Sequence, residues 1–402
     1  MDVAERPSYR ALFAISGFGR LVASMMLARV AQQMVALVLV LLALQRYGSA
    51  EVAGIVTFAA VAPGLVAAPI AGALLDRHGR TRLVVLDYAL NALALGLIAF
   101  LASADALPVP LLVVIVTVSS ITSPMSNTGV RTLFPLIVPM PLWERANAVD
   151  SNGYVVASIF GPAMAGALVA AVGPASALGI IASIFVAAAI AATGLRDPGA
   201  RTAGTRLLSD AWQGLVYVVR HPTLRALALS VSTSNVSQGL FFIALPVLVL
   251  QRFHAGAEFV GLLFALMGIS GFVSVLLVGR VSSRGRERLF LAGSMLGMAA
   301  AFAVVLLGAA SPLVVAIGML GVGIANGPFD VALFTVRQRR TDPAWMGRAF
   351  AVSMALNFAG FPLGSALGGA IVPASIEAAL VIAVIVNVVA AAMTVLWLPR
   401  ED

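Results

Sequence analysis

Long apolar runs, separated by short charged loops, constrain this chain more than any other feature of its sequence. Residues 52–75 contain no charged side chain, and residues 83–104 contain one, Asp87. A helix crosses the hydrocarbon core of a membrane with roughly 20 apolar residues, so each run is long enough for one crossing. Hydrophobic residues make up 61% of the 402 residues and charged residues 10%, whereas a globular domain has roughly half and a quarter. The sequence therefore predicts an all-α membrane protein.

We place about twelve transmembrane helices by this criterion. They lie near residues 14–45, 52–75, 83–104, 109–137, 146–170, 174–195, 224–250, 258–279, 289–308, 312–336, 347–371 and 375–398. The first ten residues lack the apolar segment of a cleavable signal peptide, so we expect the first span to remain in the protein.

The arginines lie mainly in alternate loops. Loops on one side carry the arginine-rich segments 77–82, 196–225 and 280–288, whereas loops on the other side carry Arg46 and Arg252. By the positive-inside rule both termini are cytoplasmic, and we expect a multi-pass protein of the cell inner (plasma) membrane. The net charge of +8 is dispersed over these short loops. We therefore expect no nucleic-acid partner, because nucleic-acid binding needs a contiguous basic patch.

The composition argues against several kinds of chemistry. Cysteine is absent, and the three histidines, His78, His221 and His254, lie far apart in predicted loops. We therefore expect no metal site, no cofactor and no catalytic residues. The chain contains no lysine, so it cannot hold a P-loop for ATP. A membrane enzyme is accordingly not expected.

The chain carries an internal duplication. Leu44-Gln45-Arg46-Tyr47 recurs as Leu250-Gln251-Arg252-Phe253, and Gly79-Arg80-Thr81-Arg82 recurs as Gly285-Arg286-Glu287-Arg288. Both recurrences have the same offset, from 45 to 251 and from 79 to 285, which is 206 residues. Because both copies place their arginines on one side of the membrane, the repeats are parallel and contain six spans each.

This duplication predicts two six-helix bundles. We expect an N-terminal bundle at 1–195, a cytoplasmic linker with an amphipathic surface helix at 196–222, and a C-terminal bundle at 223–402. A seam between two such bundles is the usual place for a transport site with alternating access.

A charged loop after the second span matches a known motif. The matching residues are Gly72, Leu74, Asp76, Arg77, Gly79 and Arg80, while Thr81 departs from the pattern. This loop resembles the signature of the major facilitator superfamily. The resemblance extends over the twelve spans and the six-plus-six repeat, and it implies that the loop latches the two bundles in one conformation. The second copy has Ser282 at the position of Asp76, so the predicted latch is asymmetric.

The fifth span contains Gly161-Pro162-Ala163-Met164-Ala165-Gly166. This segment resembles the antiporter motif of facilitator-type drug exporters, with Ala165 in place of one glycine. It predicts a kinked, closely packed helix, although proline and small residues are also ordinary in transmembrane helices. Residues 145–148, 213–222 and 347–350 resemble the branch that holds macrolide-efflux and enterobactin-exporter proteins.

Amides inside the spans are candidates for a substrate cavity, because buried polar groups need a partner or water. They are Gln32, Gln33, Asn127, Asn235, Gln238 and Asn326. They fall on the first, fourth, seventh and tenth spans, which line the central cavity in the superfamily that the chain resembles. The alternative for these amides is a role in packing between helices.

Four charged residues, Arg29, Arg131, Asp150 and Asp330, lie in the cytoplasmic half of their predicted spans. We expect an inner gate in which the arginines pair with Asp150, Asp330 or both, and we expect one of these acids to carry a coupled proton. The alternatives are a fixed structural pair, or an Arg29 side chain that reaches the membrane surface.

These features together predict a secondary transporter that exports a lipophilic or amphipathic small molecule against proton entry, acting as a monomer in the lipid bilayer. One alternative is an importer or uniporter of a small polar solute. An alternative of a different class is a membrane scaffold or sensor that transports nothing.

Overall fold

The computed structural model describes residues 8–195, 197, 207–280, 285–342 and 345–400. Within these residues the chain folds into fourteen α-helices, with no β-strand. Their bounds are α1 (Tyr9–Ala14), α2 (Phe18–Tyr47), α3 (Ala50–His78), α4 (Arg80–Ser103), α5 (Val109–Ile137), α6 (Trp143–Ala192), α7 (Leu207–Arg220), α8 (Pro222–Val247), α9 (Ala257–Val278), α10 (Glu287–Leu307), α11 (Pro312–Arg340), α12 (Met346–Phe358), α13 (Gly360–Ile371) and α14 (Ile376–Trp397).

Eleven helical segments of the described chain are long and apolar enough to cross a membrane. One of them contains α6, whose 50 residues span about 75 Å at 1.5 Å per residue. This length exceeds twice the roughly 30 Å hydrocarbon core. Helix α6 also breaks at Gly173, where φ is 78°, and Pro174 follows. It therefore supplies two crossings, which gives twelve in total and confirms the predicted all-α membrane fold.

The helices pack in two sets that share one pattern. Among the N-terminal helices, α2 packs on α6, α3 on α5, and α4 on both α5 and α6. Among the C-terminal helices, α8 packs on α13 and α14, α9 on α11, and α10 on both α11 and α14. Each C-terminal contact has an N-terminal counterpart six spans earlier. This correspondence agrees with a parallel repeat.

Two symmetric crossings join the sets, α3 with α13 and α6 with α9. Glycines permit both. A Cβ atom added to Gly54 would lie 2.5 Å from the Ser365 carbonyl oxygen, and one added to Gly166 would lie 2.5 Å from the Ala257 carbonyl oxygen. The backbones therefore touch where side chains would hold them apart. Both crossings lie near the starts of α3 and α9.

Helix α7 forms where the sequence pattern predicts a surface helix. Its Val218 side chain is buried, whereas Trp212 is 65% exposed. The Tyr217 ring stacks on Trp345, with ring centroids 4.9 Å apart, and this contact joins α7 to the start of α12. Residues 196 and 198–206 of the predicted linker lie outside the described residues. The division into two bundles and a linker stays a prediction.

Candidate functional site

A cavity of about 520 Å³ lies between helices α6, α8, α9, α11 and α12. Its polar wall includes Asn235, Gln238, Asn326 and Asp330, all of which were predicted to serve a cavity or a gate. Aromatic side chains supply much of the remaining wall, and they are Phe272, Phe329, Phe334 and Phe358. The cavity thus combines apolar surface with a few amides and one acid. That combination is typical of a site for a small organic molecule.

The Asp330 side chain is exposed to the cavity. Among the described residues it forms no ion pair, so its carboxylate is available to a ligand or a proton. Asn235 lies nearby on the same wall, and its Nδ2 donates a hydrogen bond to the backbone oxygen of Asn357 at 2.8 Å. One predicted cavity amide is thus held in place by α12.

A second cavity, of about 240 Å³, lies within the N-terminal helices. Gln32 and Asn127 line it, together with Asn91 and Ser119. Ser119 Oγ donates to Asn91 Oδ1 at 2.6 Å, so part of this polar wall is internally hydrogen-bonded. Gln33 lies apart from both cavities and packs against Gly161, where an added Cβ would collide with the Gln33 Cβ. The six predicted amides therefore do not share one site.

The three remaining gate residues form an ion-pair cluster among the N-terminal helices. Arg29 Nη2 lies 2.5 Å from Asp150 Oδ1, and Arg131 Nε lies 3.5 Å from Asp150 Oδ2. Arg29 Nη1 also donates to the Asp150 backbone oxygen at 2.7 Å. The Tyr154 ring lies close to both arginines, with its centroid 3.6 Å from Arg29 Cζ and 4.8 Å from Arg131 Cζ. A single carboxylate and one aromatic ring thus contact two arginines.

Burial distinguishes the members of this cluster. Arg29 is 6% exposed and Asp150 is 13% exposed, whereas Arg131 is 55% exposed. A buried arginine needs a compensating charge and hydrogen bonds, and Asp150 supplies both to Arg29. Asp330 does not join the cluster: the ion pairs that Arg29 and Arg131 form in the described chain are those to Asp150.

The charged loop between α3 and α4 turns at Gly79, which has φ 93°. Only glycine adopts this backbone conformation without strain. The next residue, Arg80, donates from its backbone nitrogen to Asp197 Oδ2 at 2.5 Å, and its Nη1 lies 3.8 Å from Asp197 Oδ1. Arg77 is exposed. Gly72 and Asp76 lie on α3. The packing around Gly72 and the side chain of Asp76 lie outside what the structure describes, and the latch role stays a prediction.

The arrangement of twelve spans and a central cavity can be compared with known proteins. The family model of the Major Facilitator Superfamily matches residues 21–364 and 227–402. This chain belongs to the major facilitator superfamily. It is 39% identical over 363 residues to an uncharacterized MFS-type transporter, y4rN, of Sinorhizobium fredii, a match that covers 89% of each chain. It is 29% identical to the multidrug efflux pump Tap of Mycolicibacterium fortuitum, over 80% of this chain and 81% of that protein.

Solved structures of transporters share the fold. A point mutant of the nucleoside transporter NupG superposes with a TM-score of 0.77 at 13% identity, over 95% of this chain and 100% of that one. A bacterial homologue of the iron transporter ferroportin in an inward-facing state superposes with a TM-score of 0.71 at 17% identity, over 95% and 98% of the two chains. Identities this low establish the fold and not the substrate. The chain is thus a multi-pass membrane transporter of the superfamily.

The segment of this superfamily member that resembles the antiporter motif lies on α6 at a crossing with α9. Gly166 faces Gly261, and an added Cβ at Gly261 would lie 2.6 Å from the Pro162 carbonyl oxygen. Gly161 instead faces α2. The residue of α6 with non-helical dihedral angles is Gly173, not Pro162. The small residues therefore permit close packing at the crossing. The helix breaks at Gly173, eleven residues after Pro162.

Sequence reasoning missed one buried cation of the site region. Arg337 directly follows the predicted span 312–336, which places it in a cytoplasmic loop, but α11 extends to Arg340 and the Arg337 side chain is fully buried. It contacts Met354, a residue of the cavity wall. The sequence offers one indication of this burial, which is that Arg337 directly follows the apolar run that ends at 336. An arginine at the end of an apolar run can be buried or exposed, and its residue type does not distinguish the two.

Proposed function

We propose that this chain is a secondary active transporter of the cell inner (plasma) membrane, which exports a lipophilic or amphipathic small molecule in exchange for protons by alternating access. The observation that carries the proposal is the cavity of about 520 Å³ between the two helix sets, with aromatic walls and the accessible acid Asp330. Relatives named as multidrug efflux pumps, at 29% identity, support an export function.

The orientation of the chain follows from its arginines. With both termini in the cytoplasm, the glycine crossings at the starts of α3 and α9 lie on the outer side of the membrane. The cavity is lined by later residues of α9, from Met267 to Leu276, and therefore lies toward the cytoplasm. An exporter in this conformation would collect its substrate from the cytoplasm or from the inner leaflet.

The chemistry of the cavity favours an amphipathic substrate. Aromatic and aliphatic walls bind apolar surface without a directional requirement, while amides at a few positions orient polar groups. The sequence resemblance to the macrolide-efflux and enterobactin-exporter branch supports the same class of substrate. Asp330 provides one site of negative charge that a bound proton would neutralise.

Coupling to protons requires an acid whose surroundings change between conformations. Asp330 meets the geometric condition because it faces the cavity and forms no ion pair in the described chain. Asp150 is held by two arginines, so it would couple only if the cluster opened during the cycle. The cluster of Arg29, Arg131 and Asp150 is then the candidate inner gate, and a monomer suffices for this cycle.

The test of the proposed function is an accumulation assay in a pump-deficient bacterial host. A panel of drugs and siderophores is loaded with and without a protonophore, in cells with and without the protein. We expect lower accumulation of at least one amphipathic compound, and the protonophore should abolish the difference. Higher accumulation that is independent of the gradient would instead support the importer or uniporter. A null result over the whole panel would favour a scaffold or sensor.

A further inference from the structure

Arg337 is a buried cation that has no counterion among the described residues. Its side chain is fully buried on α11, and among the described residues no carboxylate lies within ion-pair distance of it. The Cζ atom lies 5.0 Å from the Phe350 ring centroid, and Nη1 lies 2.6 Å from Met354 Sδ, which is a weak acceptor. With its amide oxygen turned toward α11, Asn357 accepts a hydrogen bond from Nη2. All of these neighbours are neutral.

Two buried polar atoms, one on α11 and one on α12, have no hydrogen-bond partner in the described part of the chain. They are Arg337 Nε and Ser353 Oγ, and both side chains are fully buried. A buried guanidinium with an unused donor is costly unless an acceptor of negative charge completes it. Ser353 lies on the face of α12 that also carries Phe350, Met354 and Asn357, by the spacing of three, four and seven residues, and its hydroxyl is a second unused donor on that face. The cluster therefore offers two unused donors and a positive charge, and no described carboxylate neutralises it.

The cavity provides a route to this cluster. Phe334, Met354 and Asn357 each line the cavity and also contact Arg337. Arg337 thus lies one layer of side chains behind the cavity wall. Methionine is flexible and adapts to new neighbours, so a shift of Met354 would bring a ligand to the guanidinium.

We propose that Arg337 and Ser353 form an anion-binding subsite, which takes the carboxylate of an amphipathic organic anion from the cavity, while Asn357 orients the guanidinium through one N–H of Nη2. The unused Nε–H and the second N–H of Nη2 suit the two oxygens of a carboxylate, and Ser353 Oγ donates to one of them. The apolar body of the ligand lies against Phe329, Phe334 and Phe358. This inference rests on the proposed transport function and specifies one substrate class for it.

The negative charge of Asp330 is compatible with a carboxylate bound at Arg337, because the two positions are well separated. Asp330 precedes Arg337 by seven residues on α11, which places it about 10 Å away along the helix axis. The two residues also lie on nearly the same face of the helix. A ligand body of that length separates its carboxylate from Asp330. Any polar group at its other end would meet the acid.

The test compares two ligands that have the same shape and differ in charge. Protein in lipid nanodiscs binds tritiated 1-naphthylacetate in a low-salt Tris–HEPES buffer that contains no carboxylate, and unlabelled 1-naphthylacetate or 1-naphthylacetamide competes. We expect the carboxylate to compete about ten-fold more strongly than the amide, the scale of one charge-assisted hydrogen-bond pair. Arg337→Gln should abolish this preference.

Ser353→Asp is the second variant, because it keeps the arginine and places a competing carboxylate beside it. It should also abolish the preference. Arg339→Gln is the matched control, since it removes a partly exposed arginine of the same helix that pairs with Glu287. This variant should keep the preference.

Several results would overturn the subsite. They are no binding, equal competition by acid and amide in the wild type, or a preference that survives in Arg337→Gln. Loss of binding when chloride is added to this buffer would assign the position to an inorganic anion and would also overturn it. The accumulation assay separates this failure from failure of the proposed function. Drug efflux that persists while the carboxylate preference is absent would leave the transporter and remove only the subsite.

Discussion

The two halves of this transporter each place an arginine near the end of a corresponding helix, and they treat its charge differently. In the N-terminal helices, Arg131 on α5 and Arg29 on α2 share the carboxylate of Asp150. In the C-terminal helices, Arg337 on α11 lies among neutral side chains, and Ser353 occurs 203 residues after Asp150. Arg337 lies three residues from the end of its helix, whereas Arg131 lies six from the end of α5. Both halves thus have the cation, whereas the position of Asp150 is a serine in the C-terminal half.

This difference indicates that the two halves have different roles. A compensated cluster holds helices α2, α5 and α6 together and needs no ligand. A buried guanidinium that has no counterion among the described residues is costly, so a fold that retains one needs a further reason. The cavity also borders the C-terminal helices, where Asp330 and Arg337 both lie on α11. We infer that the N-terminal cluster serves stability and gating, and that the C-terminal wall serves ligands and protons.

The largest effect should come from breaking the compensated cluster. Asp150→Asn leaves Arg29 buried without its carboxylate, and removal of one partner of a buried pair costs about 3–5 kcal/mol. We expect a strongly lowered midpoint of thermal unfolding, followed by tryptophan fluorescence of the purified protein. Ser353→Ala, at the corresponding position of the other half, is the control and should change little. Equal effects of the two substitutions would contradict the comparison.

The arginines themselves should respond in opposite directions. Arg29→Gln leaves Asp150 with the more distant Arg131, which should lower stability by about 1–3 kcal/mol. Arg337→Gln breaks no ion pair and removes a buried charge, so the unfolding midpoint should stay constant or rise. The same fluorescence measurement compares the two. A fall for Arg337→Gln as large as that for Arg29→Gln would mean that Arg337 has a compensating partner in the working protein.

A smaller gain should follow when the missing acid is restored. Ser353→Asp supplies Arg337 with a carboxylate, and a charge-assisted hydrogen bond there should contribute about 1–2 kcal/mol. In the otherwise wild-type chain, Ser353→Asp should raise the unfolding midpoint. In an Arg337→Gln background the same aspartate should lower it, because it is then buried without a partner. A rise in both backgrounds would exclude the proposed pairing.

The smallest effect on stability is expected at the charged loops, where the two halves also differ. The first loop carries Asp76 and the second carries Ser282, so Asp76→Asn removes the one acid of the predicted latch. We expect a shifted conformational bias with little change in stability. The chain contains no cysteine, and a single cysteine placed at Asn326 would report cavity access through its labelling rate. An equal labelling rate with and without Asp76→Asn would contradict the latch and leave the loop with a role in membrane topology alone.

The sequence predicts the fold well because the membrane imposes simple rules. Each span must be apolar and helical, so hydropathy alone finds the twelve crossings, and α6 is no exception once Gly173 is counted as a turn. The sequence predicts Asn235, Gln238 and Asn326 as cavity residues and Asp330 as a gate residue, and the fold brings these four side chains to one cavity.

The partners of individual side chains were harder to predict. The sequence does not distinguish Asp150 from Asp330 as the ion-pair partner of Arg29. The packing of α2 against α6 brings Asp150 to Arg29. Gln33 follows Gln32 directly, yet it packs against Gly161 while Gln32 lines a cavity. Neighbouring residues on a helix point about 100° apart, and the choice between packing and cavity depends on which helix lies opposite. Arg337 is buried for a similar reason, because α11 continues to Arg340, beyond the end of its apolar run at 336.

The most direct test of the account is transport driven by a pH gradient in proteoliposomes, with the best exported compound of the drug panel. The wild type, Asp330→Asn and Asp150→Asn are compared at equal amounts of folded protein. The account predicts that Asp330→Asn loses gradient-driven transport while its unfolding midpoint stays at the wild-type value. Full gradient-driven transport by both Asp330→Asn and Asp150→Asn would contradict proton coupling through either acid.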